Sequence, residues 1–224
     1  MKILRIILIN TVDFYTRGTS QGSTTDFLRN SEGYPYIPAT HIKGVMRTEA
    51  ERIMRSRMDY KYEPLKFESD TDVSDAEEER RKKIRTEEEL KIREVSPDVC
   101  NLFGKRHGEN SEVYHEGKIK LTDFIADKKV MSVPRMHVAI DREKLSKKGK
   151  SLFRILAVPG GSRFTGYLFM SNLTEDENKL LMASLHSMCH YGLGGERSRG
   201  MGDFKIEECS SISYEEFIKG GVFL

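Results

Sequence analysis

Five glycines fall between Gly192 and Phe204, in the run GLGGERSRGMGDF. Glycine is costly inside a helix or a strand, so a run this dense must be a loop. Such a loop lets main chain come close to something else. This one also carries two guanidiniums, Arg197 and Arg199, able to reach for an anion. It divides the elements around it. Upstream, Thr174 reads as an N-cap with Glu175, Asp176 and Glu177 in the first turn, and Leu180, Leu181, Ser184, Leu185 and Met188 recur on one helix face. His186 and His190 stand four apart on that helix, a metal-capable spacing, but no third ligand stands near and they read as helix surface. Downstream, Asp203 to Cys209 reads as a closing strand.

A second constrained stretch is Tyr34 to Arg47, YPYIPATHIKGVMR. Pro35 and Pro38 hold the chain extended. Thr40 then stands where an N-cap belongs, and a helix is expected from there to about Asp59. Ile42, Val45 and Met46 share one side of it, and Lys43 and Arg47 lie a turn apart on another. An extended segment running into a helix start beside cationic side chains is a phosphate-binding arrangement.

The remainder alternates in the same way. Lys2 to about Phe14 reads as a strand, with Ile6 to Ile9 apolar enough for burial on both faces. Thr16 to Asn30 is small and polar and reads as a loop, with Asp26 its only acid. Gly117 to Ile125, Ser151 to Val158 and Arg163 to Met170 read as strands. Val133 to Lys150 is basic and poor in large apolar residues, which suits a projecting hairpin. Lys66 to Glu94 alternates acidic and basic blocks and reads as a solvated helical insertion or a partly disordered arm. At 224 residues and a net charge of +2 the chain is one domain with insertions, soluble, and basic only locally. Cys100, Cys189 and Cys209 are far apart and odd in number, which points to a reducing compartment, the cytoplasm. The spacing of Cys100, His107 and His115 fits none of the usual zinc patterns, so no metal ligands are assigned. No run is long enough to cross a membrane, and Lys2 to Ile9 is too short and too charged for a signal peptide.

Together the two stretches resemble the RAMP superfamily, the RNA-binding proteins of CRISPR effector complexes. Pro35-Tyr36-Ile37-Pro38-Ala39-Thr40 followed by Lys43-Gly44-Val45-Met46-Arg47 is similar to its N-terminal signature, and Gly194-Gly195-Glu196-Arg197-Ser198-Arg199-Gly200-Met201-Gly202 to its C-terminal one. Between them, Leu102-Phe103-Gly104, Gly117 to Asp123 and Val138 to Arg142 resemble the family's middle segments. The branch it resembles most is the small repeated backbone subunit of type III complexes.

The order strand, helix, strand, strand, helix, strand is that of an α+β, ferredoxin-like (RRM-like) core. The resemblance implies the same core in a single RAMP domain over 1–224, elaborated by a charged insertion at 66–94 and a basic thumb hairpin at 131–150. It implies a guide-RNA-binding subunit that oligomerises along the RNA. Thr40, His41, Lys43 and Arg47 would grip the backbone with Gly194, Gly195, Arg197, Ser198 and Arg199. The thumb's Arg135, Met136 and His137 would kink the guide–target duplex. Asp26 would stand where some family members carry an aspartate needed to cut target RNA, with the ribose 2′-OH attacking the neighbouring phosphate and a divalent cation, Mg or Mn, supporting the developing charge. The expected partners are guide RNA, target RNA, further copies of the chain and other CRISPR effector subunits. Two other readings remain. One is a stand-alone guide-RNA-processing endoribonuclease, in which His41 would serve as acid or base. The other is a non-catalytic RRM-like RNA binder, which would stack bases on sheet aromatics, although no aromatic pair stands out at such strand positions.

Overall fold

The computed structural model describes residues 1–56, 97–104, 116–141 and 146–220, with main chain alone over 139–141 and 146–152. The charged stretch 66–94, and Lys105, Arg106, His107 and His115, lie outside the described residues.

The chain is organised by β1 (Lys2–Asn10), which lies mid-sheet with antiparallel neighbours on both sides. On one side is β10 (Phe204–Ile212), on the other β9 (Arg163–Met170). Beyond β9 come two short strands, β5 (Ile119–Leu121) and β6 (Phe124–Ala126), and then β4 (Tyr36–Ile37). Two helices, α1 (Ala39–Ser56) and α3 (Glu175–Tyr191), join strands as crossovers. Taken as β1, α1, β5 with β6, β9, α3 and β10, the sheet has its fourth strand beside the first and its second at the far edge. That is the ferredoxin-like arrangement.

Alternation along β1 divides the core. Leu4, Ile6 and Leu8 face Ile42, Met46 and Ala50 of α1 and Leu180, Leu181, Leu185 and Met188 of α3, all buried in one cluster. Ile3 faces the other way and joins Tyr167 of β9 under Phe217 of α4 (Tyr214–Lys219). Gly166 lies beneath the buried Phe124, whose ring carbon would stand 2.2 Å from any added Cβ. The end of β1 is fixed by Asn10, which is fully buried. Its amide donates to the carbonyls of Val12 and Pro159 at 2.8 and 3.0 Å, and its oxygen accepts from Ser162 N–H at 2.8 Å. Each polar atom is thus satisfied, as a buried carboxamide requires.

A second, four-stranded sheet stands beside this core: β2 (Arg17–Gln21), β3 (Thr24–Phe27), β8 (Ser146–Ala157) and β7 (Val133–Asp141), in that order. Only β3 and β8 run parallel. The sequence reading placed a projecting hairpin within 131–150 and a separate strand from Ser151 to Val158; in the structure β8 is one strand from Ser146 to Ala157, paired with β7. The sequence reading also took Thr16 to Asn30 for a loop. In the structure β2 and β3 pair there as a hairpin turning at Gly22, whose φ is +58°. Side-chain composition alone gives little strand signal in RGTSQGSTTDF; pairing against β8 supplies it. The first strand ends at Asn10 rather than near Phe14, because main chain from Thr11 onward turns to meet the glycine loop. The segment read as one strand from Gly117 to Ile125 is broken at Thr122, whose hydroxyl and N–H bond Tyr167 of β9.

The helix layer is tied by one carboxylate. Glu177 is 1% exposed. It accepts from Lys118 Nζ at 2.7 and 2.8 Å, from Asn101 of α2 (Pro97–Phe103) at 3.0 Å and from Thr174 N–H at 2.8 Å. The last bond completes a capping box with Thr174. Burial pushes the carboxyl upward, but the bonds from Lys118, Thr174 and Asn101 outweigh it and hold it below the usual carboxylate range. A depressed carboxyl stabilises the fold above its unfolded pKa of about 4.3 and loses that contribution as pH falls through the folded value. Glu177→Gln should therefore lower stability at pH 7 by about 1–3 kcal/mol, and the difference from wild type should shrink below about pH 4, as urea unfolding at the two pH values will show.

Candidate nucleic-acid interface

The glycine loop is stitched to the segment that follows β1. Thr11 N–H donates to the Asp203 carbonyl at 2.8 Å, Gly202 N–H to the Asp13 carbonyl at 2.9 Å, and Gly195 N–H to the Tyr15 carbonyl at 2.8 Å. Within the loop, Leu193 N–H meets the Gly202 carbonyl at 2.8 Å. Two glycines are required by this closeness. Gly194 has φ +83°, and a Cβ there would stand 2.3 Å from the Tyr15 carbonyl oxygen. Gly202 has φ +84°, and its Cβ would stand 2.0 Å from the Leu193 carbonyl oxygen.

The same loop touches α1. Gly194 N–H donates to His41 Nε2 at 2.9 Å. The helix start itself is not capped as the sequence reading expected: Ala39 opens the helix, and Thr40 lies inside the first turn. The cap comes from across the chain, with Asp123 Oδ1 accepting from Ala39 N–H at 2.8 Å. The break between β5 and β6 is what brings Asp123 there. The Pro38 carbonyl accepts from the N–H groups of His41 and Ile42.

At 100° per residue, Thr40, Gly44 and Thr48 form the outward floor of α1, with Lys43 and Arg47 on one flank and His41 and Arg52 on the other. A groove of about 220 Å³ runs along that floor between α1 and Arg197. Lys43 is half-buried; burial and the neighbouring Arg47 lower its ammonium pKa, opposed by Glu116. Arg47 is turned inward. Its Nε bonds Glu51 at 2.9 Å and its Nη1 the Gly104 carbonyl at 2.8 Å, closing the end of α2. Arg52 lies 4.2 Å over the Tyr191 ring and pairs with the buried Glu49 at 2.9 Å, which Ser187 also bonds at 2.8 Å.

One 3-10 turn, Arg197–Arg199, sends its two arginines to different neighbours, with Ser198 exposed between them. Arg197 faces α1, and its Nη1 lies 3.5 Å from the Gly192 carbonyl. Arg199 pairs with Glu196 and lies 3.3 Å from His137 Nδ1 on β7. His137 is stacked on Phe153 of β8, ring centroids 5.1 Å apart. Arg135 gives both Nε and Nη2 to Asp13 Oδ2, at 2.8 and 2.5 Å, while Asp13 Oδ1 accepts from Gly160 N–H at 3.2 Å. Met136 points to the other side of the hairpin, 53% exposed, with Arg154 Nε 3.4 Å from its sulfur.

Asp26 lies on β3 next to Thr25, which pairs with Ile155 of β8, itself paired with Arg135 of β7. Its Oδ1 accepts from Phe27 N–H at 2.8 Å, and its Oδ2 is 3.6 Å from Arg29 Nε. Among the described residues no three His, Cys, Asp or Glu side chains converge to hold a metal. A lone carboxylate beside an arginine does not make a divalent-cation site without ligands from elsewhere.

A family model for the RAMP superfamily matches residues 15–205. The chain belongs to the RAMP superfamily. Among curated proteins nothing matches. Solved chains that share its fold include the following two. One comes from a type III-B Cmr-β complex bound to cognate target RNA, with a TM-score of 0.60 and 17% identity, covering 95% of this chain. This chain spans only 61% of that one's length. The other comes from a type IV-B CRISPR complex, with a TM-score of 0.55 and 16% identity, covering 95% of this chain and 91% of that one.

Several residues that hold this RAMP surface together were not singled out from sequence. Asp123 and Glu196 lay inside the motif segments, but their partners are decided by folding. Asp13 had no local signal at all. An aromatic pair on the sheet was also missed: Tyr167 and Phe169 stand on the outer face of β9, where Phe217 of α4 packs edge-on against each at 4.9 and 5.0 Å. No helix among the described residues is long and apolar enough to cross a membrane. The loop geometry separates two glycine substitutions. Gly200 has φ +77° with open space around it, so Gly200→Ala should cost about 1–2 kcal/mol of backbone strain. Gly194→Ala adds a collision with the Tyr15 carbonyl and should cost at least about twice as much, measured by chemical denaturation of both variants.

Proposed function

We propose that this RAMP chain is an RNA-binding subunit of a CRISPR effector complex, which holds guide RNA by its sugar–phosphate backbone as one of several copies along the strand. The observation that carries this reading is the bond from Gly194 N–H to His41. It joins two motifs 153 residues apart and sets Arg197 across a groove from the α1 start. The fold likeness to chains of CRISPR complexes, one of them bound to target RNA, supports it. Lys43 and Arg197 are the cations that would meet phosphates from the two sides, Thr40 and Ser198 would donate hydroxyls, and Arg47 would act by fixing α1 against α2. Contacts of this kind bind without reading bases. Target RNA, further copies of the chain and other effector subunits are the partners this role requires.

Gly44 is the most telling residue of the groove. It sits inside a helix, where glycine costs about 1 kcal/mol relative to alanine, yet among the described residues nothing stands within 4 Å of the Cβ it lacks. Packing among the described residues does not require glycine there; a backbone pressed against α1 from outside would.

Target cleavage is the finer part of the proposal. Asp26 would serve at each kink made by the β7–β8 hairpin, the 2′-OH attacking in line with the leaving oxygen. The processing-nuclease reading is less well supported, because the Nε2 lone pair of His41 is already engaged by Gly194. The RRM-like reading is less well supported because Phe217 covers the sheet aromatics.

Anisotropy with labelled single-stranded RNA tests the reading. Gly44→Ala should raise folding stability by about 0.5–1 kcal/mol while weakening RNA binding for all sequences. Unchanged affinity would remove the helix floor from the interface. Lys43→Ala and Arg197→Ala should each lower affinity and reduce the salt slope by about one. Asp26→Ala should abolish periodic target cleavage and leave guide affinity within about twofold; cleavage that persists would exclude Asp26.

A further inference from the structure

We propose that His41 is a positioning residue whose neutral imidazole pins the glycine loop to α1, so that RNA binding requires an unprotonated ring and weakens on acidification. The inference rests on the RNA-binding reading above and adds to it a chemical condition on the clamp. A backbone N–H can only donate, so the Gly194 contact at 2.9 Å obliges Nε2 to be the acceptor and places the ring proton on Nδ1. Protonation would set an Nε2–H against the Gly194 N–H, donor against donor, and both groups are partly buried. Among the described residues no other hydrogen bond ties Gly194 to α1, and Gly195 next to it is held to Tyr15. The loop would therefore keep its stitch to the β1 end and lose its hold on the helix.

The charges around the ring favour the neutral form. Burial lowers its pKa first, and Arg197 of the glycine loop lowers it further. From α1 itself, Glu49 and Arg52 line the same groove and are paired with each other. From the segment after β1, Tyr15 packs beside Gly195 with its hydroxyl engaged by Thr25. A histidine with a lowered folded pKa stays neutral below the ordinary value of about 6.5, so the pin is fully present above that value and is lost as pH falls through the folded one. The sign is diagnostic. Histidines that touch phosphate gain charge on acidification and strengthen RNA binding. This one would weaken it.

The test uses the full chain and a fluorescein-labelled single-stranded RNA, with anisotropy read at constant ionic strength from about pH 8 to 5.5. Alongside it, the protection factor of the Gly194 amide is read by hydrogen exchange without RNA. One linked proton changes affinity by at most about tenfold per pH unit, so wild-type affinity should fall severalfold across the acid half of the range. His41→Gln and His41→Asn retain a side-chain acceptor that does not titrate. Either should recover part of the affinity lost in His41→Ala and hold it flat with pH. Gly194 protection should drop on acidification in wild type and not in these two variants. Wild-type affinity that is flat or rises in acid, or variants that follow wild type, would overturn the pin. Should no RNA bind at any pH, the RNA reading fails on its own, and amide protection decides the pin: a drop confined to wild type upholds it, and unchanged protection overturns it.

Discussion

Everything on the proposed binding surface depends on main chain meeting main chain where β1 and β10 end. The bonds from Thr11 to Asp203, Gly202 to Asp13 and Gly195 to Tyr15 extend the pairing of the two strands past their last residues. Because β1 is the central strand and is buried on both faces, the glycine loop inherits the rigidity of the sheet. That rigidity matters for a phosphate clamp, since donors held in place lose little entropy when a strand docks. The loop can lie this close only because Gly194 and Gly202 lack side chains. Its arginines are thus presented from a fixed base by a turn that faces α1 at one end and the β7–β8 hairpin at the other.

The cations of this surface are mostly spoken for. Arg47 is held by Glu51 and Gly104, Arg135 by Asp13, Arg199 by Glu196, and Arg52 by Glu49. The net charge is only +2 because 37 Lys and Arg stand against 35 Asp and Glu, so acidic partners are at hand for most of the cations. For exposed pairs the internal bond is worth little, about 1 kcal/mol or less, so a phosphate could take over Arg199 from Glu196 at small cost. Arg47, only 18% exposed and bonded to a main-chain carbonyl, is a different case, and its exchange would also open the contact between α1 and α2. Position in the motif therefore does not settle which cations meet RNA. What each one already holds ranks them, with Lys43, Arg197 and Arg199 ahead of Arg47 and Arg135.

How much of this could be read from the chain alone depends on how local the cause is. The α3 stripe, its Thr174 cap and the glycine loop were legible because the pattern and the partner lie within a few residues of each other. The ferredoxin-like order was legible because β1, β9 and β10 carry enough apolar alternation to be recognised singly. The β2–β3 hairpin was not, since its strands are polar and exist by pairing with β8, more than a hundred residues away. The cap on α1 was misassigned for the same reason. Thr40 satisfies the local rule, but Asp123 arrives from another element and meets Ala39 first. On the proposed binding surface, the motif segments pointed to His41, Arg197 and Arg199. Nothing in the sequence said that His41 would accept from Gly194 or that Asp13 would take Arg135.

The covered aromatics favour placing the proposed clamp at the edge of the sheet and not on its face. A ferredoxin-like sheet has one face on its helices and one free, and proteins that stack bases on the free face need bare aromatic rings there. Here Tyr167 and Phe169 occupy that face, but Phe217 is wedged against both, and Ile3 and Ile212 close the patch. Opening it would expose several large apolar side chains at about 1.5–3 kcal/mol each, which base stacking would have to offset before any net binding appeared. The helix-start groove carries no such burden. Its floor is Thr40, Gly44 and Thr48, already open, with cations on both flanks. The surface that needs no rearrangement is the one proposed to bind a backbone, so a short C-terminal helix, by covering two rings, disfavours base stacking on the sheet and leaves its edge as the open surface.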